Sequence, residues 1–201
     1  RKFQQGDIVL RLVYVNVAVF LAVTLVQIFL TLFNVPSSPW MNYLELPAWT
    51  EVFIRRPWTL ITYMFMHANF SHIFFNMFAV WMFGRVLEQV WGPKRFLTYY
   101  LICGIGAGLI QELVQYVEFL AVWSNYDSVN TGLGIIPMDV FLNQLTTVGA
   151  SGAVYGILLA FGMLFPNSQM FVFPIPVPIK AKYFVIGYAV LELLLGLGSN
   201  D

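Results

Sequence analysis

The sequence predicts an all-α polytopic membrane protein, a bundle of apolar helices forming a single domain over residues 1–201. Three observations carry that reading. Hydrophobic residues make up 59% of the 201 positions and charged residues 10%, against about 25% charged in soluble domains. Mean hydropathy is +0.75. Finally, five separate apolar runs, roughly 12–33, 70–90, 95–117, 147–166 and 180–198, each approach the roughly 20 residues needed to cross a bilayer.

The first run follows Arg1, Lys2 and Arg11. It is too long for the core of a secretion signal and has no small-residue cleavage site, so it reads as a retained helix. Residues 34–66 combine Trp40, Trp49 and Trp58 with Pro36, Pro39, Pro47 and Pro57. That segment is too broken to span and too apolar to be solvated, which predicts a loop lying in the membrane interface, where Trp is favoured. The connection 119–146 carries no Lys or Arg and predicts a short helix near Pro137 or Asp139.

Orientation follows from the basic residues, which accumulate on the cytoplasmic side of short loops. With the N-terminus inside, Arg1, Lys2, Arg11, Arg85, Lys94, Arg95, Lys180 and Lys182 fall inside and only Arg55 and Arg56 outside. The second and fourth runs then both start at the outer side. Net charge is zero, with ten basic and ten acidic residues, so there is no electrostatic footprint for nucleic acid. The partners expected are the lipid bilayer and other membrane-embedded segments. Cys103 is the only cysteine, so no disulfide can form within the chain.

Polar and ionisable residues inside membrane spans are costly and mark functional sites. The chain has two histidines, His67 and His72, at the head of the second run, and Asn76 follows His72 by four residues. A spacing of four places His72 and Asn76 on one helix face, whereas His67 belongs to the preceding loop. Interhelical hydrogen bonding is the ordinary role of such residues. A metal site is not indicated, since the spacing is not the His pair of a zinc helix, and bis-histidine haem ligation fits no better.

The fourth run opens with Gly149-Ala150-Ser151-Gly152-Ala153-Val154-Tyr155-Gly156. The hydrolase elbow needs glycine where Ala153 stands and a strand before the serine. What remains is a serine at a helix N-terminus, where free N–H groups favour an adjacent oxyanion. Gly152, Gly156 and Ala160 also form a stripe of small residues, suited to close approach by a partner helix.

Taken in this order and spacing, the motifs resemble the rhomboid intramembrane serine proteases, over residues 45–201. The resemblance rests on the interfacial loop, His67-x-x-x-x-His72-x-x-x-Asn76, Glu88 before a basic loop, and Gly149-x-Ser151-Gly152 with Tyr155. It implies a rhomboid-like helical bundle, a hydrolase working by a Ser–His dyad, and cleavage of transmembrane helices of other membrane proteins near the outer face. It implies no metal and no organic cofactor. Ser151 is the implied nucleophile, and His72, Asn76 and the Ser151 N–H the implied oxyanion hole. Gly149, Tyr155 and His67 would support the site, Tyr155 beside the catalytic histidine and His67 by hydrogen bonding. The expected setting is a bacterial inner membrane.

Two departures qualify the match. The family often has Trp-Arg at the end of the interfacial loop, whereas Trp58 is followed here by Thr59. The family's base is a histidine on a sixth helix, and no residue here matches it, so the sequence reads as five helices with the sixth missing. The stripe beside Ser151 is then expected to be open for that helix. The alternative function is an inactive rhomboid-like protein that binds or escorts membrane clients. A transporter would require midplane charge, and only Glu112 and Glu192 come near.

Overall fold

The computed structural model describes residues 8–35, 40–132, 134–170 and 177–198, with side chains through 190 except that of 189. Helix α1 covers Ile8–Leu32. Its sequence is apolar on all sides, yet only Val9, Leu12 and Asn16 are buried, all in its first half. The expected interfacial segment condenses into short pieces: a 3₁₀ turn at Met41–Tyr43, strand β1 at Leu46–Pro47, and helices α2 (Thr50–Arg55) and α3 (Thr59–Thr62).

The second apolar run forms one rod over Phe70–Trp91, built from α4 (Phe70–Ala79), a wide π turn at Val80–Gly84, and α5 (Arg85–Trp91). Asn69 starts it: its side chain accepts a hydrogen bond from the His72 N–H at 2.8 Å, the favoured N-cap arrangement. Gly92, at φ +84, separates it from α6, Pro93–Glu118, which has proline in its first turn. A second π turn carries that rod on to Trp123, further than the sequence reading placed its end. Strands β2 (Ser128–Asn130) and β3 (Ile135–Pro137) form a hairpin. Helix α7 follows at Met138–Leu142, where a short helix was expected.

The fourth span differs from expectation. Thr146–Thr147 form β4, antiparallel to β1 with Leu46 opposite Thr147, and helix α8 begins only at Ser151 and ends at Leu164. Strand pairing and the Gly149 turn take the first residues of the apolar run, leaving a helix of 14 residues. After it, β5 (Gln169–Met170) pairs with β6 (Ile179–Lys180), and α9 runs over Ala181–Gly198. By length and composition, three of the described helices can cross a membrane: Ile8–Leu32, Phe70–Trp91 and Pro93–Trp123.

The core lies between α4–α5, α6 and α8. Phe83 meets Phe161 edge to face at 4.9 Å, and Phe96, Tyr100, Leu87 and Ile157 are fully buried. Between α6 and α8 the contact is made by missing side chains. A Cβ on Gly156 would lie 2.5 Å from Cys103 Sγ, and one on Gly152 would collide with the Ala107 Cβ. Gly108 is held less tightly, a Cβ there meeting Leu60 at 3.1 Å and Tyr63 at 3.2 Å. The small-residue stripe of the fourth helix is therefore filled by α6, not left open for a further helix. The sequence reading missed that Gly104 and Gly108 repeat the same four-residue spacing on α6.

Glu88, 3% exposed, sets the relation of the first two rods. Its carboxylate accepts from the backbone N–H of Ile8 at 3.0 Å and of Val9 at 3.4 Å, capping α1 from 80 residues away. The start of α1 and the end of the second rod thus share one side of the bundle. The heads of the second rod and α8 share the other.

Candidate active site

Gly149 is the point at which the two motifs meet. Its φ of +121 lies in backbone space that L side chains avoid. A Cβ there would lie 2.6 Å from His72 Nε2 and 2.7 Å from His72 Cε1, and 3.8 Å from the Ser151 backbone N. The imidazole edge thus packs against the Gly149 backbone where a side chain would stand, and the amide that opens α8 lies close to the same point. Ala150 at the helix N-cap contributes no side-chain cap, so the first amides of α8 remain available. Ser151 is half-buried, and its hydroxyl makes no hydrogen bond among the described residues.

His72 and Asn76 lie one turn apart on α4, His72 half-buried and Asn76 at 7% exposure. His67 precedes the Asn69 cap and meets His72 edge to face, ring centroids 5.2 Å apart. His67 is 8% exposed, and its ring nitrogens make no close, well-aligned hydrogen bond, the nearest backbone partner being Phe65. Burial, and next the positive charge His72 can carry, push its pKa down to about 4, opposed by the nearby Phe65 backbone. His67 is therefore a neutral ring at pH 7, bracing His72 by packing. Tyr155, expected beside a histidine of a further helix, lies against Tyr188 of α9 at 5.6 Å.

Supports that the sequence reading missed surround this place. The Gly149 N–H donates to the Tyr63 carbonyl at 2.9 Å, while the Tyr63 hydroxyl donates to Gly104 of α6 at 2.6 Å. One residue thus ties the turn to the glycine seam. Asn69 could have been found from the Asn-Phe-Ser-His order, since Asn is a strong N-cap before an apolar run. Nothing in the local sequence marked Tyr63. Near the Trp58–Thr59 departure, Arg56 donates to the Asn42 carbonyl at 3.2 Å and stacks 3.9 Å over the Tyr43 ring. Thr59 is buried and donates to the Arg56 carbonyl at 2.7 Å. Among the described residues no group of three or more His, Cys, Asp or Glu side chains is placed to hold a metal ion.

Fold and sequence motifs together define a helical membrane protein in which a serine opens a short helix and a His–Asn pair lies one turn apart on another. The chain belongs to the rhomboid family: the family model described as "Rhomboid domain" matches residues 55–201. It is 30% identical over 149 residues to Rhomboid protease AarA of Providencia stuartii, covering 71% of this chain and 48% of the relative. It is 26% identical over 143 residues to Rhomboid-like protein 16, chloroplastic, of Arabidopsis thaliana, covering 71% and 42%. To Rhomboid protein 1, mitochondrial, of Saccharomyces cerevisiae it is 28% identical over 120 residues, covering 60% and 29%. The chain thus spans less than half the length of each. These relatives carry chloroplastic and mitochondrial names as well as a bacterial source, so they do not single out a bacterial inner membrane.

Proposed function

We propose that this protein is an intramembrane serine endopeptidase that cuts transmembrane helices of other membrane proteins near the outer membrane face. The observation that supports the reading is the Gly149 turn, where the point a side chain would occupy lies 2.6 Å from His72 Nε2 and 3.8 Å from the Ser151 backbone N. A tetrahedral oxyanion needs donors converging on it in a water-poor site. The Ser151 N–H, the His72 ring N–H and the Asn76 amide would supply them. Ser151 Oγ attacks the scissile carbonyl, and its proton passes to a base that is assigned to no residue of this chain.

Depth supports the choice of substrate. Helix α8 has 14 residues, about 21 Å at 1.5 Å each, against a hydrocarbon core of about 30 Å. With its foot at one face, its head lies below the other, within reach of a membrane-embedded peptide bond. That bond must first leave its helix, whose backbone groups are otherwise shielded by their own hydrogen bonds. The eight-to-two distribution of basic residues supports a cytoplasmic N-terminus and an outer-facing site, with residues 34–66 in the interface.

A second reading, a rhomboid-like protein that binds clients without cutting them, is favoured by one observation. The Ser151 hydroxyl has no described acceptor, and both histidines of the chain belong to the other motif. Cleavage of a transmembrane substrate by the full-length protein in proteoliposomes separates the two. Ser151→Ala is expected to abolish cleavage while leaving the unfolding midpoint nearly unchanged. Unimpaired cutting by Ser151→Ala would exclude the serine mechanism, and a wild-type protein that captures clients intact would favour the second reading.

A further inference from the structure

The turn that carries Gly149 is gripped from outside both motifs. Strands β1 and β4 pair over only two residues on each side, and the Ala48 N–H donates to the Leu145 carbonyl at 2.9 Å. Two-stranded pairs without further cover are marginal on their own. One side-chain bond reinforces this pair: Thr146 Oγ1 donates to Glu45 Oε2 at 2.7 Å, with Glu45 only 9% exposed. Short hydroxyl-to-carboxylate bonds of this kind are stronger than neutral ones. The Glu45 side is itself anchored, because Thr62 Oγ1 of α3 donates to the Leu44 carbonyl at 2.7 Å.

We propose that Glu45 is a positioning residue for the active site: by accepting the Thr146 hydroxyl it latches residues 145–149, so that the Gly149 turn presents the Ser151 amide to the His72 ring. Glycine reaches positive φ easily but leaves it as easily, and an unusual backbone conformation persists only where its surroundings over-determine it. Here two grips do so, the Glu45–Thr146 bond on one side of the turn and the Tyr63 carbonyl at Gly149 itself. With the first removed, the amide drifts relative to His72 while the substrate-binding surfaces of the bundle stay in place. The inference rests on the proposed protease reading, but the latch has its own readout.

The test compares Thr146→Val, Glu45→Ala, Thr146→Ser and Glu45→Gln in the full-length protein. Hydrogen exchange of the peptide covering 144–151 is measured together with kcat and KM on a transmembrane substrate. Thr146→Val and Glu45→Ala are expected to speed exchange in that peptide alone. They should lower kcat by roughly 10- to 100-fold, the scale of an ångström-sized misplacement, with KM nearly unchanged. Thr146→Ser and Glu45→Gln, which keep a donor or an acceptor, should stay near wild type. Unchanged exchange in Thr146→Val would overturn the latch. Faster exchange with unchanged kcat, or a change confined to KM, would overturn the positioning role. A wild-type protein without proteolysis would defeat the protease reading separately. In that case the exchange data decide the latch alone, fast exchange in Thr146→Val upholding it and slow exchange refuting it.

Discussion

Two helix pairs in this molecule meet by opposite means. Helices α6 and α8 approach through glycine, with Cys103 and Ala107 filling the places where side chains on Gly156 and Gly152 would stand, and the Tyr99 hydroxyl donates to the Gly156 carbonyl at 2.8 Å. Helices α1 and α4 face one another with large apolar side chains, and between them lies a groove of about 340 Å³ lined by Val13, Val17, Phe20, Phe70, Phe74 and Trp81, among others. Lipid tails are as apolar as leucine, so burying such groups gives little drive for helices to associate in a bilayer. Close backbone packing and satisfied polar groups supply it instead. The candidate site is therefore carried by the glycine seam and its polar ties, whereas α1 is held mainly at its start.

The largest expected effect lies in the seam. Gly156→Leu forces a side chain onto Cys103 and should cost at least the roughly 1–3 kcal/mol typical of overpacking, read as a lowered unfolding midpoint in detergent. Gly152→Ala should also destabilise, and Ala107→Gly should restore part of the loss, a coupling expected only of residues in contact. If Gly156→Leu were as stable as wild type, the comparison would collapse.

A middle effect is expected at Glu88. Glu88→Ala leaves the first amides of α1 without their acceptor, at about 1–3 kcal/mol, and should speed exchange at Ile8 and Val9 more than anywhere in α8. Stability equal to wild type would mean that the apolar face of α1 anchors it after all.

The smallest effect belongs to the groove. Phe74, 51% exposed, should tolerate replacement by leucine within about 0.5 kcal/mol, as exposed positions usually do. A loss as large as that in the seam would show the groove to be a packed interface.

This contrast also marks what the sequence made legible. Hydropathy placed the first two rods and the start of the third within four residues, though the third runs on to Trp123, and the sequence set the α7 helix near Pro137. Motif spacing singled out Ser151, His72 and Asn76 as candidates, and the structure packs His72 against Gly149, two residues before Ser151. The start of α8 was misplaced because an apolar run does not reveal that Thr146 and Thr147 pair with Leu46 and Pro47, a partner 100 residues distant. The small-residue stripe was visible, but its occupant was not, since composition shows that a helix can be approached closely without showing by which one. Glu88, Glu45 and Tyr63 act through backbone groups far along the chain, or through a side chain as remote as that of Thr146, and no local pattern encodes such contacts.

In the proposed mechanism an oxyanion pocket forms where His72 packs against Gly149 near the start of α8. Fluorophosphonate labelling of the full-length protein, with the modified residue located by mass spectrometry, addresses it most directly. The label should fall on Ser151, and Asn76→Ala or His72→Ala should slow it by about 100- to 1,000-fold, the usual effect of losing one oxyanion donor, without unfolding the protein. Labelling at another serine, or an undiminished rate in both variants, would contradict it.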